Sequence, residues 1–130
     1  MAYSEAIVGR NAVQTTRSTR RNTGYVRVYS GTKPTNSETA LAGNTLLAES
    51  RYNAVAFGAP ATGVLTAAAF TNGNALATGT ATFFRDFASD GTTVEGQGDV
   101  AVSASDLNLS SVSLVTGGAV NITSLTLTQP

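Results

Sequence analysis

Short apolar runs separated by turn residues fill the chain from Tyr25 onwards. Residues 25–30 alternate strictly, with Val26 and Val28 on one face, and this alternation is typical of a half-buried strand. Residues 78–88 alternate in the same way. Counting these two, the pattern predicts about eight short strands, the others lying at residues 45–52, 63–70, 92–95, 100–103, 111–116 and 119–128. The spacing predicts an all-β fold, an antiparallel β-sandwich of jelly-roll-like type.

Glycine-containing turns divide these strands. Asp90-Gly91 favours a tight hairpin between residues 78–88 and 92–95, and Gly117-Gly118 favours a final hairpin. In the last strand the inward-facing parity changes near Thr123 and Ser124, which predicts a bulge or a change of sheet.

Helix is nearly absent from this pattern. Only residues 37–42 and 105–109 favour a short helical turn.

Residues 1–24 differ from the rest of the chain in their pattern of apolar and polar residues. From Arg10 to Thr23 the sequence is polar apart from Ala12 and Val13, and no apolar period is sustained. Such a segment cannot bury enough apolar surface to fold alone. We therefore expect an extended basic N-terminal arm over residues 1–24 and a β-sandwich domain over residues 25–130, which should stay folded when the arm is removed.

The charge of the chain is zero overall but unevenly distributed. Eight basic and eight acidic residues make up only 12% of the chain, about half of the usual share of roughly 25%. Residues 1–35 hold six of the basic residues against the single acid Glu5, and the remainder is acidic. Such a separation can orient one copy against another or against an acidic partner.

The composition excludes most catalytic mechanisms. The chain has no Cys and no His, which removes disulfides, imidazole acid–base chemistry and Cys or His nucleophiles. Neither a phosphate-binding loop nor a nucleophile elbow is present. Four acids near the Asp90-Gly91 turn could form a carboxylate pair or a calcium site, but their spacing matches no EF-hand loop, and turn chemistry explains Asp90. These four acids are Asp86, Asp90, Glu95 and Asp99. We expect no enzymatic activity, no cofactor and no metal.

No apolar run approaches the roughly 20 residues that a bilayer requires, and the N-terminus lacks the apolar region of a signal peptide. The expectation is a soluble protein made in a cytoplasm, without a membrane partner.

Arginines and tyrosines are the candidate partner-binding residues. The cluster at residues 17–21 could dock on carboxylates of a protein, remain a solvated tail, or contact nucleic acid. Few basic residues and no interleaved aromatic residues disfavour nucleic acid. Tyr25 and Tyr29 lie on the face opposite Val26. Their side chains could be anchors of an interface, or they could pack within the molecule. The candidates are Arg10, Arg17, Arg20, Arg21, Tyr25, Arg27 and Tyr29.

Several short strings carry a resemblance to a known group of proteins. They are VRVYSGTKP at residues 26–34, LLA at 46–48, AFGA at 56–59, GVLTA at 63–67, ATGTATFFR at 77–85, DGT at 90–92 and SDLNL at 105–109. With these strings, residues 25–128 resemble small virion proteins of tailed bacteriophages. The basic arm has no counterpart in that resemblance.

The resemblance implies a non-enzymatic particle component, a decoration or cement protein on the capsid surface, made in the host cytoplasm. Its partners would be the major capsid protein and neighbouring copies of itself, and the N-terminal arginines would pair with acidic capsid residues. Two alternatives remain. One is a tail or neck (head–tail connector) structural protein, and the other is a carbohydrate- or receptor-binding module using exposed aromatics and loop acids such as Asp86 and Asp99.

Overall fold

The computed structural model describes residues 6–54, 56–57, 59, 64–66 and 70–128. One helix, α1, spans Ile7–Arg21. The strands are β1 Tyr25–Tyr29, β2 Leu46–Tyr52, β3 Val64–Thr66, β4 Phe70–Asn72, β5 Gly79–Thr80, β6 Phe83–Phe87, β7 Val94–Ala101, β8 Leu107–Leu109, β9 Ser113–Leu114 and β10 Ile122–Thr128.

Eight of these strands form one sheet in the order β3-β10-β8-β7-β6-β1-β2-β4, and β5 pairs with β9 in a separate two-stranded sheet. Neighbouring strands are antiparallel, except that β7 and β8 run parallel. The prediction of a mostly β, predominantly antiparallel fold is therefore confirmed.

The eight-stranded sheet is strongly curled. Its edge strands, β3 and β4, are separated along the chain by residues 67–69 alone, so the Cα atoms of Thr66 and Phe70 lie within about 14 Å of each other. A flat sheet of eight strands would hold its edges about 34 Å apart. The curl also explains why Leu65 of β3 and Leu47 of β2 belong to one apolar core cluster with Phe84 of β6.

The central strands follow the predicted alternation. Val26 and Val28 of β1 face the core, and β6 pairs with β7 through the predicted hairpin. Gly91 adopts a φ of 73°, which a residue without Cβ tolerates in this turn. The register of β10 shifts between Ile122 and Ser124, which confirms the predicted irregularity near Thr123.

Several local predictions are wrong, and the two strands predicted at residues 92–95 and 100–103 form the single strand β7. Residues 37–42 form a loop, and most of 105–109 forms β8, because tertiary pairing overrides weak helix-capping signals. The final hairpin does not form, since β9 pairs with β5 while β10 pairs with β8 and β3.

The extended arm is also a wrong prediction for residues 7–21, which are helical. Polar contacts with distant strands help to hold the helix in place. The fully buried Gln14 donates from Nε2 to the carbonyl oxygen of Leu127 in β10 at 2.7 Å, and Arg21 pairs with Asp86 of β6. Residues 1–5 of the predicted arm lie outside the described residues.

Helix α1 lies across one end of the curled sheet. Its contacts reach the last residues of β6 and β10 and the second residue of β7, and these positions meet at the same end because β6 and β7 are antiparallel. We call this the helix end. The opposite end is formed by β5, which precedes the first residue of β6, by β9, and by their flanking segments.

Candidate functional site

A buried polar cluster lies beneath the C-terminal turn of α1. Arg21 donates from Nε to Asp86 Oδ2, and the hydroxyl of Tyr52 donates to the same oxygen at 2.9 Å. Asp86 is only 1% exposed, so the ion pair is shielded from water. Burial, assisted by the neighbouring Asp86 carboxylate, raises the pKa of Tyr52 well above its usual range.

Two glycines of β7 lie where a side chain would crowd this cluster or the neighbouring ring of Phe84. A Cβ on Gly96 would lie 3.3 Å from Nη2 of Arg21, and one on Gly98 would lie 2.7 Å from the ring of Phe84. Beside them is a cavity of about 470 Å³, within the range of small-molecule sites. Its lining comprises Arg17, Arg20, Arg21, Phe84, Asp86, Glu95, Gly96, Gln97, Asp106, Thr126 and Leu127.

Most charges around the cavity are neutralised within the molecule. Arg20 forms a bidentate pair with Glu95, from Nε at 2.7 Å and from Nη2 at 3.1 Å, and Arg21 pairs with Asp86. The hydrogen bond to Glu95 is the main reason that the pKa of Arg20 is raised. An acid held as an arginine partner is poorly placed to transfer protons, and this applies to Asp86 and Glu95.

The four acids near the predicted hairpin do not form a carboxylate pair. Asp86 and Glu95 face different arginines, and Asp99 contacts Lys33 Nζ at 2.8 Å. Asp90 accepts hydrogen bonds from the hydroxyl and amide of Thr93 and from the amide of Thr92, which lower its pKa to about 2. Turn chemistry thus accounts for Asp90.

The predicted partner-binding arginines are divided between two surfaces. Arg17, Arg20 and Arg21 come together at the helix end, where Arg17 donates to Gln14 Oε1 at 3.4 Å. Arg10 lies in α1, but its side chain is outside the described residues. Arg27 lies elsewhere, on β1, and pairs with Glu49 at 2.6 Å. A role of these arginines in partner binding stays a prediction.

Tyr25, Arg27 and Tyr29 share the convex side of the sheet, opposite Val26, which we call the outer face. Tyr29 is 6% exposed and stacks on Phe83 with ring centroids 5.3 Å apart, so it packs within the molecule, and its role in partner binding stays a prediction. Burial raises the pKa of Tyr29. Tyr25 is only half-buried, and the guanidinium of Arg51 lies 4.7 Å from its ring centroid.

Arg51 is a candidate that the sequence did not reveal. Strand pairing places it directly opposite Tyr25, and this register is set by the pairing of β1 with β2. The alternation of residues 45–52 puts Arg51 on a polar face but cannot say which aromatic ring lies beside it.

A long loop between β1 and β2 covers part of the outer face. Arg85, which is buried, donates from Nη2 to the carbonyl oxygen of Asn36 at 3.3 Å and also to that of Thr39. Its Nε donates to Gln97 Oε1 at 3.2 Å. The buried guanidinium of Arg85 therefore holds the loop against β6, and the acceptors of its hydrogen bonds are uncharged.

At the end opposite α1, segments 73–80 and 113–119 carry exposed aliphatic side chains and contain no charged residue. Leu76 is 58% exposed and Val115 is 63% exposed. Their segments are joined by the hydrogen bond from the amide of Ala75 to the carbonyl oxygen of Gly118, at 2.8 Å. Residues 52–84 and 107–130 contain no Asp, Glu, Lys or Arg. We call the surface formed by segments 73–80 and 113–119 the uncharged end.

Within the described ranges, no group of three or more acidic, His or Cys side chains is arranged to hold a metal ion. The described helix is too short and too polar to span a membrane.

Comparison of the chain with models of protein families, with curated proteins and with solved structures returned no match. The functional conclusion therefore rests on the chain's own residues.

Proposed function

We propose that this chain is a non-enzymatic structural protein of a phage virion, a decoration protein that binds and stabilises the lattice of the major capsid protein. The resemblance of several short strings of the sequence to small virion proteins supports this proposal. The observation that carries it is the uncharged end, where Leu76 and Val115 lie exposed on hydrogen-bonded neighbouring segments.

The uncharged end has the chemistry of an interface centre. The buried centres of protein interfaces are depleted in charged residues, because a charge that loses water without a partner costs several kcal/mol. Here two aliphatic side chains are surrounded by small and hydroxyl residues such as Thr78 and Thr116, whose Oγ1 atoms are 3.2 Å apart. Docking this surface on an apolar part of the lattice removes little hydration.

The internal ion pairs support this end over the N-terminal arginines as the main docking surface. Arg20, Arg21 and Arg27 each have a carboxylate within the same molecule. A capsid carboxylate would have to displace Glu95, Asp86 or Glu49, and the displaced acid would then lose its own partner.

We further propose that the curled sheet closes as a jelly-roll-like β-sandwich. The single core cluster, to which strands from both halves of the sheet contribute, supports two layers facing each other. The short link between β3 and β4 supports the same closure.

Because many copies would bind the same particle, a small contact area on each copy would be sufficient to stabilise the lattice. A symmetric shell offers many equivalent positions, so a small surface on each copy adds up across the particle. Binding to the assembled lattice but not to free subunits stabilises the lattice by mass action.

The test is the copy number of this chain in purified particles, measured by quantitative mass spectrometry. A decoration protein gives on the order of hundreds of copies per particle. A handful of copies would identify a tail or neck component, and absence from particles would overturn the proposal.

A variant pair tests the docking surface itself. We expect Leu76→Asp with Val115→Asp to abolish binding to particles while the domain stays folded, because the new charges would be buried at the contact. Thr16→Asp is the matched control, since Thr16 is exposed on α1, at the other end of the sheet. Equal binding by both variants would exclude the uncharged end as the docking surface.

A further inference from the structure

Thr23, at the junction of α1 and β1, adopts a strained conformation. Its φ is 58°, in the left-handed region that a β-branched residue rarely occupies. The amide of Thr23 donates to the carbonyl oxygen of Asn53 at 3.0 Å, and its own carbonyl oxygen accepts from Nε of Arg51 at 3.1 Å. Such strain persists only where surrounding contacts impose it, and it is often stored at functional sites.

These contacts hold Arg51 in a fixed position. Its Nε is bound to the Thr23 carbonyl oxygen and its Cζ lies 4.7 Å from the ring centroid of Tyr25, so both Nη atoms are left for a partner. A guanidinium held in this way can bind a carboxylate through two parallel hydrogen bonds. Among the described exposed cations, Arg51 is the one with no carboxylate within 4 Å, whereas Arg20 and Lys33 each have one.

Glu38 is the complementary group. It is exposed, and within the described part of the chain it is the acid that has neither a cation within 4 Å nor a hydrogen-bond donor. It lies between Asn36 and Thr39, whose carbonyl oxygens are bound by Arg85.

Arg51 and Glu38 lie on the same side of the sheet. Arg51 is paired with Tyr25, and Arg85 is paired with Arg27, and directly paired residues project to one side. The outer face therefore carries an unpaired cation near the helix end and an unpaired anion on the loop between β1 and β2.

We propose that the outer face binds a second copy of this chain, with Arg51 of each copy pairing with Glu38 of the other. A two-fold contact places one patch against the same patch, so a face with one free cation and one free anion is complementary to itself. The half-buried ring of Tyr25 lies beside each pair. The contact is lateral and leaves the uncharged end open.

The local charges favour a protein carboxylate over a nucleic acid. Arg27 is neutralised by Glu49, and the Asp90 hairpin lies next to Tyr25, where a Cβ on Gly91 would be 3.4 Å from the ring. A phosphate backbone requires several free cations at once. This surface offers one.

The experiment is sedimentation velocity of the purified chain over a range of concentrations up to about 1 mM, where even weak contacts are populated. We expect the wild-type chain to dimerise. The single variants Arg51→Glu and Glu38→Arg should each weaken the dimer at least about tenfold, because like charges then face each other. The double variant, with both pairs reversed, should return to within about threefold of the wild-type affinity.

Arg17→Glu is the matched control, because it reverses a cation on the helix end, and it should leave the dimer unchanged. Circular dichroism of each variant shows that the fold is retained. A wild-type chain that stays monomeric, single variants that dimerise normally, or a double variant that fails to recover would each overturn the proposal. The result is independent of particle binding, so the two proposals fail separately.

Discussion

At the scale of single residues, the structure distinguishes a buried ion pair, which stabilises the fold, from a partly exposed ion pair, which contributes little to stability. Asp86 and Arg21 are almost completely buried, and Tyr52 completes the hydrogen bonding of the carboxylate. Arg27 and Glu49 are partly exposed to water. Removing one partner should therefore have different consequences at the two sites.

Asp86→Ala leaves the guanidinium of Arg21 buried without a carboxylate. We expect a loss of about 3–5 kcal/mol in the free energy of unfolding, measured by urea denaturation. Glu49→Ala, the control at the exposed pair, should cost about 1 kcal/mol or less. Equal losses for the two variants would contradict the structural role assigned to Asp86.

Tyr52 should make the fold sensitive to alkaline pH. Because burial raises the pKa of Tyr52 above that of an unfolded tyrosine, the unfolded chain loses its phenolic proton first. The stability conferred by neutral Tyr52 is present below about pH 10 and is lost as the pH rises further.

The measurement is the free energy of unfolding against pH for the wild type and for Tyr52→Phe. We expect the variant to show a shallower decline above pH 10. Tyr29→Phe is the comparison, and its smaller pKa shift should give a smaller change. A decline that is identical in the wild type and Tyr52→Phe would show that Tyr52 ionises freely in the folded chain.

At the scale of elements, the sequence indicates what depends on alternation and turns but not what depends on distant polar contacts. The faces of β1 and the β6–β7 hairpin follow directly from Val26, Val28 and the Asp90-Gly91 turn. Helix α1 was not predictable, since its partner Asp86 is 65 residues from Arg21 in sequence. The sequences of β7 and β8 contain no hydrophobic pattern that would predict their parallel pairing.

The residues of the candidate surfaces also fall into those that the sequence could select and those that it could not. Tyr25 and Arg27 could be selected as outward-facing residues from alternation alone. Arg51 and Glu38 could not, because their significance lies in having no internal partner, and that depends on the pairing of every other charge.

Removal of α1 tests whether the helix belongs to the folded unit. Deletion of residues 1–21 should lower the melting temperature, because Asp86 would lose its arginine partner. Asp86→Asn should then partly restore stability in the truncated chain, although it destabilises the full-length chain. Thermal unfolding of all four proteins gives the coupling, and additive effects would show that the helix does not act through Asp86.

At the scale of the whole molecule, charge and apolar surface are separated. The helix end and the outer face hold the described ion pairs, and the uncharged end holds the exposed aliphatic side chains Leu76 and Val115. Under the two proposals, the uncharged end contacts the capsid lattice and the outer face contacts a second copy.

This separation predicts opposite responses to salt. Binding to particles through the uncharged end should change less than about threefold between 50 mM and 500 mM NaCl, because no charges are brought together. Dimerisation through Arg51 and Glu38 should weaken over the same range. Co-sedimentation with particles and sedimentation velocity measure the two effects. Steep loss of particle binding with salt would instead favour docking through the N-terminal arginines.

The position of β10 between β3 and β8 has a consequence for how the protein is made. Strand β10 is synthesised after all the other described strands, yet it is an interior strand of the sheet and supplies the carbonyl oxygen that Gln14 of α1 binds. Folding of the sheet must wait for the synthesis of residues 122–128, and a nascent chain stopped before residue 122 exposes both flanking strands to aggregation.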